Sequence, residues 1–285
     1  MATLKGRVLL GWMTRDQAVH FLLNECVHNP VIDAAAAEAI WQSYRDTVNA
    51  LPARAPAVPA NLGLTLPEVA HWTAFRKFLA SQGPTDVVDV KKIDLSALTV
   101  VQYMVVTDRS AGYQQQVSTS AGWLKECLPT SVVDLPIQIY EQRTGLQSTE
   151  ARIEIPHAEF VFLTDPAGNF RPRQWQRHVT TMVGADRMFL TAGYHRSFAR
   201  VFTMPAATVP SAVVAVAVNT LVSPTLPTVA PGLPPATVDP LCPFGTKAAT
   251  FADFFTNGLF MEVDLRKRRY LLQVNATVIA EDDPT

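Results

Sequence analysis

The sequence lacks most of the features that would assign a function at once. Its 285 residues hold only three cysteines, Cys26, Cys127 and Cys242, odd in number and far apart. That excludes a disulfide framework or a paired-cysteine metal knuckle and fits reduced thiols in a cytoplasmic protein. Neither sign of charge is in excess: 24 Lys and Arg stand against 25 Asp and Glu, a formal net charge of −1. Coating nucleic acid or an anionic membrane depends on a marked positive surplus, so neither is expected as the main activity. Long apolar runs are missing too. The run Ala212 to Val218 is far too short to span a bilayer. Val8-Leu9-Leu10, behind Lys5 and Arg7, has no small-residue cleavage site after it, so no signal peptide and no membrane partner are expected. There is no Gly-rich P-loop, no G-x-S-x-G and no dinucleotide fingerprint. The histidines at 20, 28, 71, 157, 178 and 195 show no zinc-like i, i+4 spacing, and no metal ligands are assigned.

What is present is enough apolar material for a packed core: 48% hydrophobic and 9% aromatic residues offset the entropy of ordering the chain. Residues 1–84 read as a helical N-terminal region. Thr14 and Gln17 form a capping-box pattern ahead of Val19, Leu22, Leu23 and Cys26 at helical spacing. Asp33 caps a second helix with Ala37, Ile40, Trp41, Tyr44 and Val48 on one face. Leu51 to Leu64, with Pro52, Pro56 and Pro59, reads as an extended linker. A third helix starts at Thr65, buries Val69, Trp72, Phe75, Phe78 and Leu79, and ends at Gly83-Pro84. The linker is too long for the turn of a helix-turn-helix, so DNA binding through these helices is not favoured.

From Thr85 to Thr203 strands alternate with helices. Val87 to Ile93, Ile137 to Tyr140, Ile153 to Ile155 and Phe160 to Leu163 read as strands, and Ser120 to Leu128 as a short helix. Asp165 to Gly168 is a turn, and Arg173 to Val183 is expected as a helix with Trp175, Val179 and Met182 on one face, closed by Gly184. Arg187 to Leu190 is strand-like and His195 to Phe202 helical. Residues 204–285 form a Pro-rich segment and a C-terminal α/β extension. Met204 to Pro243 holds nine of the 21 prolines and one charge, Asp239, with Ala212 to Val222 as a buried strand inside it. A short helix at Thr250 to Asn257 and one or two strands between Met261 and Val278 complete the chain. The acidic Glu281 to Asp283 reads as a solubilising tail.

The sharpest local feature is Arg187-Met-Phe-Leu-Thr-Ala-Gly-Tyr-His-Arg-Ser-Phe-Ala199: a strand, a tight Gly193 and a helix opening with His195-Arg196-Ser197. A helix start offers unpaired N–H groups and a positive dipole end. With Arg196 and His195 in the first turn, phosphate is the natural guest. Between Pro166 and Thr203 the arginines are Arg171, Arg173, Arg177, Arg187, Arg196 and Arg200 against Asp186 alone, and arginine suits bidentate phosphate recognition. Gly193, His195, Arg196, Ser197, Arg173, Arg177 and Arg200 are therefore the candidate phosphate- or nucleotide-binding residues. Each also has a structural reading: an ion pair of Arg196 with Asp186 or Glu154, a backbone hydrogen bond from His195, a packing role with a wet hydroxyl for Tyr194, and a solvated arginine face.

The four residues Gly193-Tyr194-His195-Arg196 at a strand-to-helix turn resemble the ParB/sulfiredoxin superfamily. Its partition proteins carry Gly-Glu-Arg-Arg there, sulfiredoxins Gly-Cys-His-Arg, and a related serine kinase His-His-Arg after a Gly. Val88 to Ile93, followed by Leu98 and Gln102, is similar to the domain's opening strand. The resemblance covers residues 85–203 and implies an α+β fold with a ParB/sulfiredoxin-like mixed-sheet core, between a helical N-terminal extension and a C-terminal β-containing extension. It implies a nucleotide or phosphate-bearing small molecule as ligand at Gly193 and Arg196, with phosphoryl transfer or nucleotide hydrolysis and Mg2+ accompanying the nucleotide. The sulfiredoxin nucleophile falls at Tyr194, so reduction of a sulfinic acid is not expected. The partition proteins' acid and first arginine are replaced by Tyr194 and His195. That departure leaves a second expectation beside the first, a non-catalytic scaffold with a protein partner or a homo-oligomer in a plasmid- or phage-related assembly.

Overall fold

A computed structural model of the chain describes residues 3–28, 30–82, 85–131, 178–184, 186–204, 211–217 and 241–267, and the backbone of the strands lying within 133–174 and 270–277. Contacts gather it into two units, residues 1–130 with 177–266 and residues 131–176 with 267–285. The fold is α+β.

The first unit opens with a strand, not a helix. In β1 (Thr3–Val8) the inward positions are Leu4, Gly6 and Val8, a period-two pattern too short to stand out before the helical run that follows. It lies between β13 (Met261–Arg266) and β4 (Met104–Val106), antiparallel to both. Helices α1 (Arg15–Asn24) and α2 (Ala34–Asn49) share a core with this sheet through Phe21, Leu22 and Ala37 against Val8, Val106 and Val263. Both caps read from the sequence are present: the reciprocal Thr14–Gln17 box, and the Asp33 carboxylate accepting the Ala36 N–H at 2.8 Å.

The second sheet of this unit is mixed. Its order is β2 (Val87–Asp94), β12 (Ser211–Ala217), β10 (Thr180–Val183), β11 (Met188–Ala192) and β3 (Thr99–Val100). The β12–β10 and β11–β3 pairs are parallel, the others antiparallel. Ala212 to Ala217 are all buried, the unbroken apolar run expected of a strand covered on both faces. Helices α3 (Leu66–Gln82), α4 (Thr107–Val117), α5 (Ser120–Cys127) and α6 (Tyr194–Thr203) contribute Phe75, Leu79, Val117, Trp123, Leu124 and Phe198 to the same large core. On α3 the expected face holds at Phe75 and Leu79, whereas Val69 stands exposed.

Strand pairing crosses the serial divisions of the sequence, since β1 near the start pairs with β13 near the end. The helix expected over Arg173 to Val183 is replaced by strands: β9 (Phe170–Gln174) in the second unit and β10 in the first. Trp175, Val179 and Met182 fit a helical face, but the β-branched Val179, Thr180, Thr181 and Val183 suit a pleated sheet, and pairing with β11 and β12 overrides the local pattern. The helix at Thr250 is a short 3-10 turn, Phe251–Phe255. Gly83-Pro84, the Asp165 turn, the Pro-rich stretch 218–240 and the acidic 281–283 lie outside the described residues.

The second unit contains two three-stranded sheets. One has the order β5 (Val133–Asp134), β9, β8 (Phe160–Thr164), and the other β14 (Tyr270–Thr277), β7 (Ser148–Ile155), β6 (Gln138–Arg143); every pairing is antiparallel. Among the described residues no helix of the chain is long and apolar enough to cross a membrane.

The Leu51–Leu64 linker is extended, as its prolines require, and it is tied down at both ends. Leu62 donates its N–H to Lys92 O on β2 at 2.8 Å, and Arg54 N donates to Thr246 O at 2.7 Å. The Arg54 guanidinium grips Asp253 in a bidentate pair at 2.5 and 2.8 Å, and Asp253 is 2% exposed. Asp253 also accepts the Thr250 N–H at 2.7 Å. Removing one partner of a buried pair strands the other charge, at a cost of about 3–5 kcal/mol. Asp253→Ala is expected to lower unfolding stability by about that amount in urea titration; a loss below ~1 kcal/mol would mean the pair does not hold the linker.

Candidate functional site

The Gly193 turn lies where β11 hands over to α6. Gly193 has φ 89° and ψ 20°, the left-handed region that disfavours side chains. A Cβ there would stand 2.6 Å from Val179 Cγ2 and 2.9 Å from Val179 Cα. Val179 has no room to yield, since its N–H donates to Cys127 O at 2.8 Å and its carbonyl accepts from Ala215 N at 2.9 Å. Backbone angle and close approach both demand glycine.

Tyr194 follows, 3% exposed. Its hydroxyl donates to Leu190 O at 2.6 Å and accepts the N–H groups of Val101 at 2.8 Å and Gln102 at 3.0 Å. One oxygen thereby joins α6, the end of β11 and the β3–β4 connection. The expectation of a wet hydroxyl is corrected: it is buried and saturated because two backbone donors converge on it. Burial pushes the phenol pKa well above its ordinary value, against the two backbone N–H bonds that favour the ionised form. It is neither acid nor nucleophile near neutral pH.

His195 uses its Nε2 as acceptor for the Val106 N–H at 3.2 Å, so that nitrogen is unprotonated in this arrangement. Of the readings open for His195, this is the backbone hydrogen bond. Arg196, 8% exposed, places Nε 3.7 Å from Glu126 Oε2 on α5 and its Cζ 5.4 Å from the centre of the Tyr113 ring on α4. Among the described residues the carboxylate beside it is Glu126; of the two expected, the side chain of Glu154 lies outside the described residues. Asp186 turns to Arg187 instead, at 3.1 Å. Ser197 is fully buried, and its N–H donates to Gly193 O at 3.0 Å. Arg200, 8% exposed, donates from Nη1 to Val117 O at 2.7 Å and Ser118 O at 3.1 Å, closing the C-terminus of α4. Its guanidinium lies 5.9 Å from the centre of the Trp123 ring.

Gly193, His195, Arg196, Ser197 and Arg200 therefore sit together on one helix start and its following turn. Arg173 lies on β9 in the other unit, and Arg177 lies outside the described residues. Arg187 is buried and donates to Pro243 O and Gly245 O, each at 3.0 Å. The single solvated arginine face read from a helix at 173–183 has no helix to carry it. The partners missed in the sequence are Glu126, Trp123 and Tyr113, on α4 and α5. Thr119 caps α5, its side-chain oxygen accepting the Gly122 N–H at 3.0 Å. Gly122 lets α5 start against α4, for a Cβ there would collide with Gln116 O.

Mg2+ with a nucleotide would need oxygen ligands at this turn. Among the described residues no group of three or more His, Cys, Asp and Glu side chains gathers to hold a metal, and the carboxylate paired at the turn, Glu126, faces Arg196. Compared with known proteins, the chain matches no family model, no curated protein and no solved structure.

His178 stands immediately before Val179. Its ring meets Phe75 edge-on at 5.2 Å. Burial lowers its pKa from 6.5 to about 4; the positive Arg196 pushes the same way, and Asp86 opposes. The native state thus holds a neutral imidazole. Its contribution is whole above the unfolded value of 6.5 and is lost as pH falls toward 4, because the unfolded chain takes up the proton first. The difference amounts to roughly 3 kcal/mol. Denaturation of His178→Gln beside the parent protein is expected to show a shallower loss of stability between pH 6.5 and 4; parallel curves would mean the ring titrates normally.

Proposed function

We propose that this chain is a non-catalytic scaffold and interaction protein on a ParB/sulfiredoxin-like core, in which the turn that the resemblance assigns to phosphate binding has become internal bracing. One observation carries this reading. The side-chain groups that a phosphate would recruit already serve neighbouring elements: His195 holds Val106 N, Arg196 faces Glu126, and Arg200 closes α4. Tyr194, at the position of the superfamily's nucleophile, is saturated by three backbone groups. Nucleotide binding with phosphoryl transfer would require His195 and Arg196 to exchange these contacts for ligand contacts, leaving a buried N–H and a carboxylate without partners. An interaction role draws support from apolar side chains left in solvent along one stretch and on the adjoining strand: Leu62, Leu66, Val69 and Val88, with Leu66 87% exposed. Leu62 is bonded to Lys92 of the strand that carries Val88. The fitting partner is a protein or a second copy of the chain.

Thermal shift against ATP, GTP and CTP, with and without Mg2+, is expected to leave Tm unchanged, while Arg196→Ala lowers Tm with no nucleotide present. A shift for one nucleotide that vanishes in Arg196→Ala would overturn the scaffold reading, since a ligand at 100 times its dissociation constant adds about 2.7 kcal/mol.

A further inference from the structure

Beneath the bracing lies a set of donors that no acceptor meets. Trp123 on α5 is 2% exposed, and Ser197 and Arg200 on α6 are 0% and 8% exposed. Trp123 Nε1, Ser197 Oγ and Arg200 Nε are all buried and all without a hydrogen-bond partner. They belong to one neighbourhood. The Arg200 guanidinium is 5.9 Å from the Trp123 ring centre, and Ser197 precedes Arg200 by three residues on the same helix, a spacing that makes side chains neighbours. Unmet buried donors are rare, and three at one helix contact point to a missing acceptor.

Charge indicates what that acceptor is. Two guanidinium groups, of Arg196 and Arg200, lie close enough to the buried Cys127 thiol to act on it electrostatically. Arg196 has Glu126. Arg200 has the Val117 and Ser118 carbonyls on Nη1, which answer two of its hydrogen-bonding directions and none of its net charge. Burial lowers its pKa, and among the described residues the opposing influence comes from Cys127, not from a carboxylate. A buried positive charge is stable when an anion faces it. One unmatched guanidinium calls for one negative charge, and burial this complete admits a compact ion and not a nucleotide.

We infer that the contact between α5 and α6 is a binding site for a halide-sized monovalent anion, held by Trp123 Nε1–H, Ser197 Oγ–H and Arg200 Nε–H. The anion completes the bracing of the α4–α5–α6 group, so the protein's stability depends on which anion the solution supplies. The site shares Ser197 and Arg200 with the expected phosphate-binding residues, but it uses Ser197 Oγ and Arg200 Nε and leaves in place the Arg200 Nη1 bonds to Val117 and Ser118 on which the scaffold reading rests.

The test replaces sodium gluconate by sodium chloride, and separately by sodium bromide, at constant ionic strength, and follows Tm of the full chain. The parent protein is expected to gain ~2–5 °C in either halide. Trp123→Phe keeps the ring beneath Arg200 and deletes the N–H, and is expected to lose that gain. If Trp123→Phe does not fold, Ser197→Ala on the facing helix supplies the same comparison. Equal Tm in gluconate and halide for the parent would overturn the site in favour of a bound water, and a halide gain that survives Trp123→Phe would overturn it in favour of a different location. Neither result bears on the nucleotide screen, whose decisive variant is Arg196→Ala.

Discussion

The turn between β11 and α6 depends on a single oxygen atom. The Tyr194 hydroxyl takes two backbone N–H groups and gives its own proton to a third residue, carrying the contact of β11 with β3 past the end of their short ladder at Leu190 and Val100. Val101 and Gln102 follow the two-residue strand β3, whose ladder is too short to settle their amides. Without the phenol both amides would lose their acceptor, with the larger penalty at half-buried Val101 and the smaller at Gln102, whose residue is exposed. Gly193 makes the arrangement reachable: the left-handed angle and the contact with Val179 set the start of α6 where the ring can extend under the sheet.

From that fixed start the remaining side chains of α6 fall into place at helical spacing. His195 reaches β4, Arg196 reaches α5, and Arg200, one turn later, reaches the end of α4. The result is a helix wrapped by its neighbours with polar contacts on several sides, unlike a helix that shows an apolar stripe to the core and a charged face to water. A second tie works at a distance from the first. Arg54, in a segment without regular structure, is clamped to Asp253 and fixes the linker between α2 and α3 against the C-terminal part of the same unit.

Much of this was readable from sequence, and the limits have physical causes. Caps and glycine punctuation act over three or four residues, so α1, α2 and α5 and the β11–Gly193–α6 turn were placed from their own residues. α4 escaped notice because its Gly112 and the run Gln114 to Gln116 carry no apolar period. β1 and β10 were missed because short strands derive their stability from partners far along the chain. The roles of the candidate residues were illegible for the same reason. His195 and Tyr194 find their partners 89 to 93 residues away, and nothing local shows which distant N–H lacks an acceptor. A motif can thus be located correctly while its residues serve a different purpose from the one their types suggest.

Residue-resolved hydrogen exchange at Val101, Gln102 and Val106 tests the bracing of the turn most directly. If the turn is bracing, these three amides exchange as slowly as the central strand β12. Tyr194→Phe then releases Val101 and Gln102 and leaves Val106, which His195 holds, protected. Exchange at Val101 and Gln102 as fast as in an open loop in the parent protein, and unaltered by Tyr194→Phe, would contradict it.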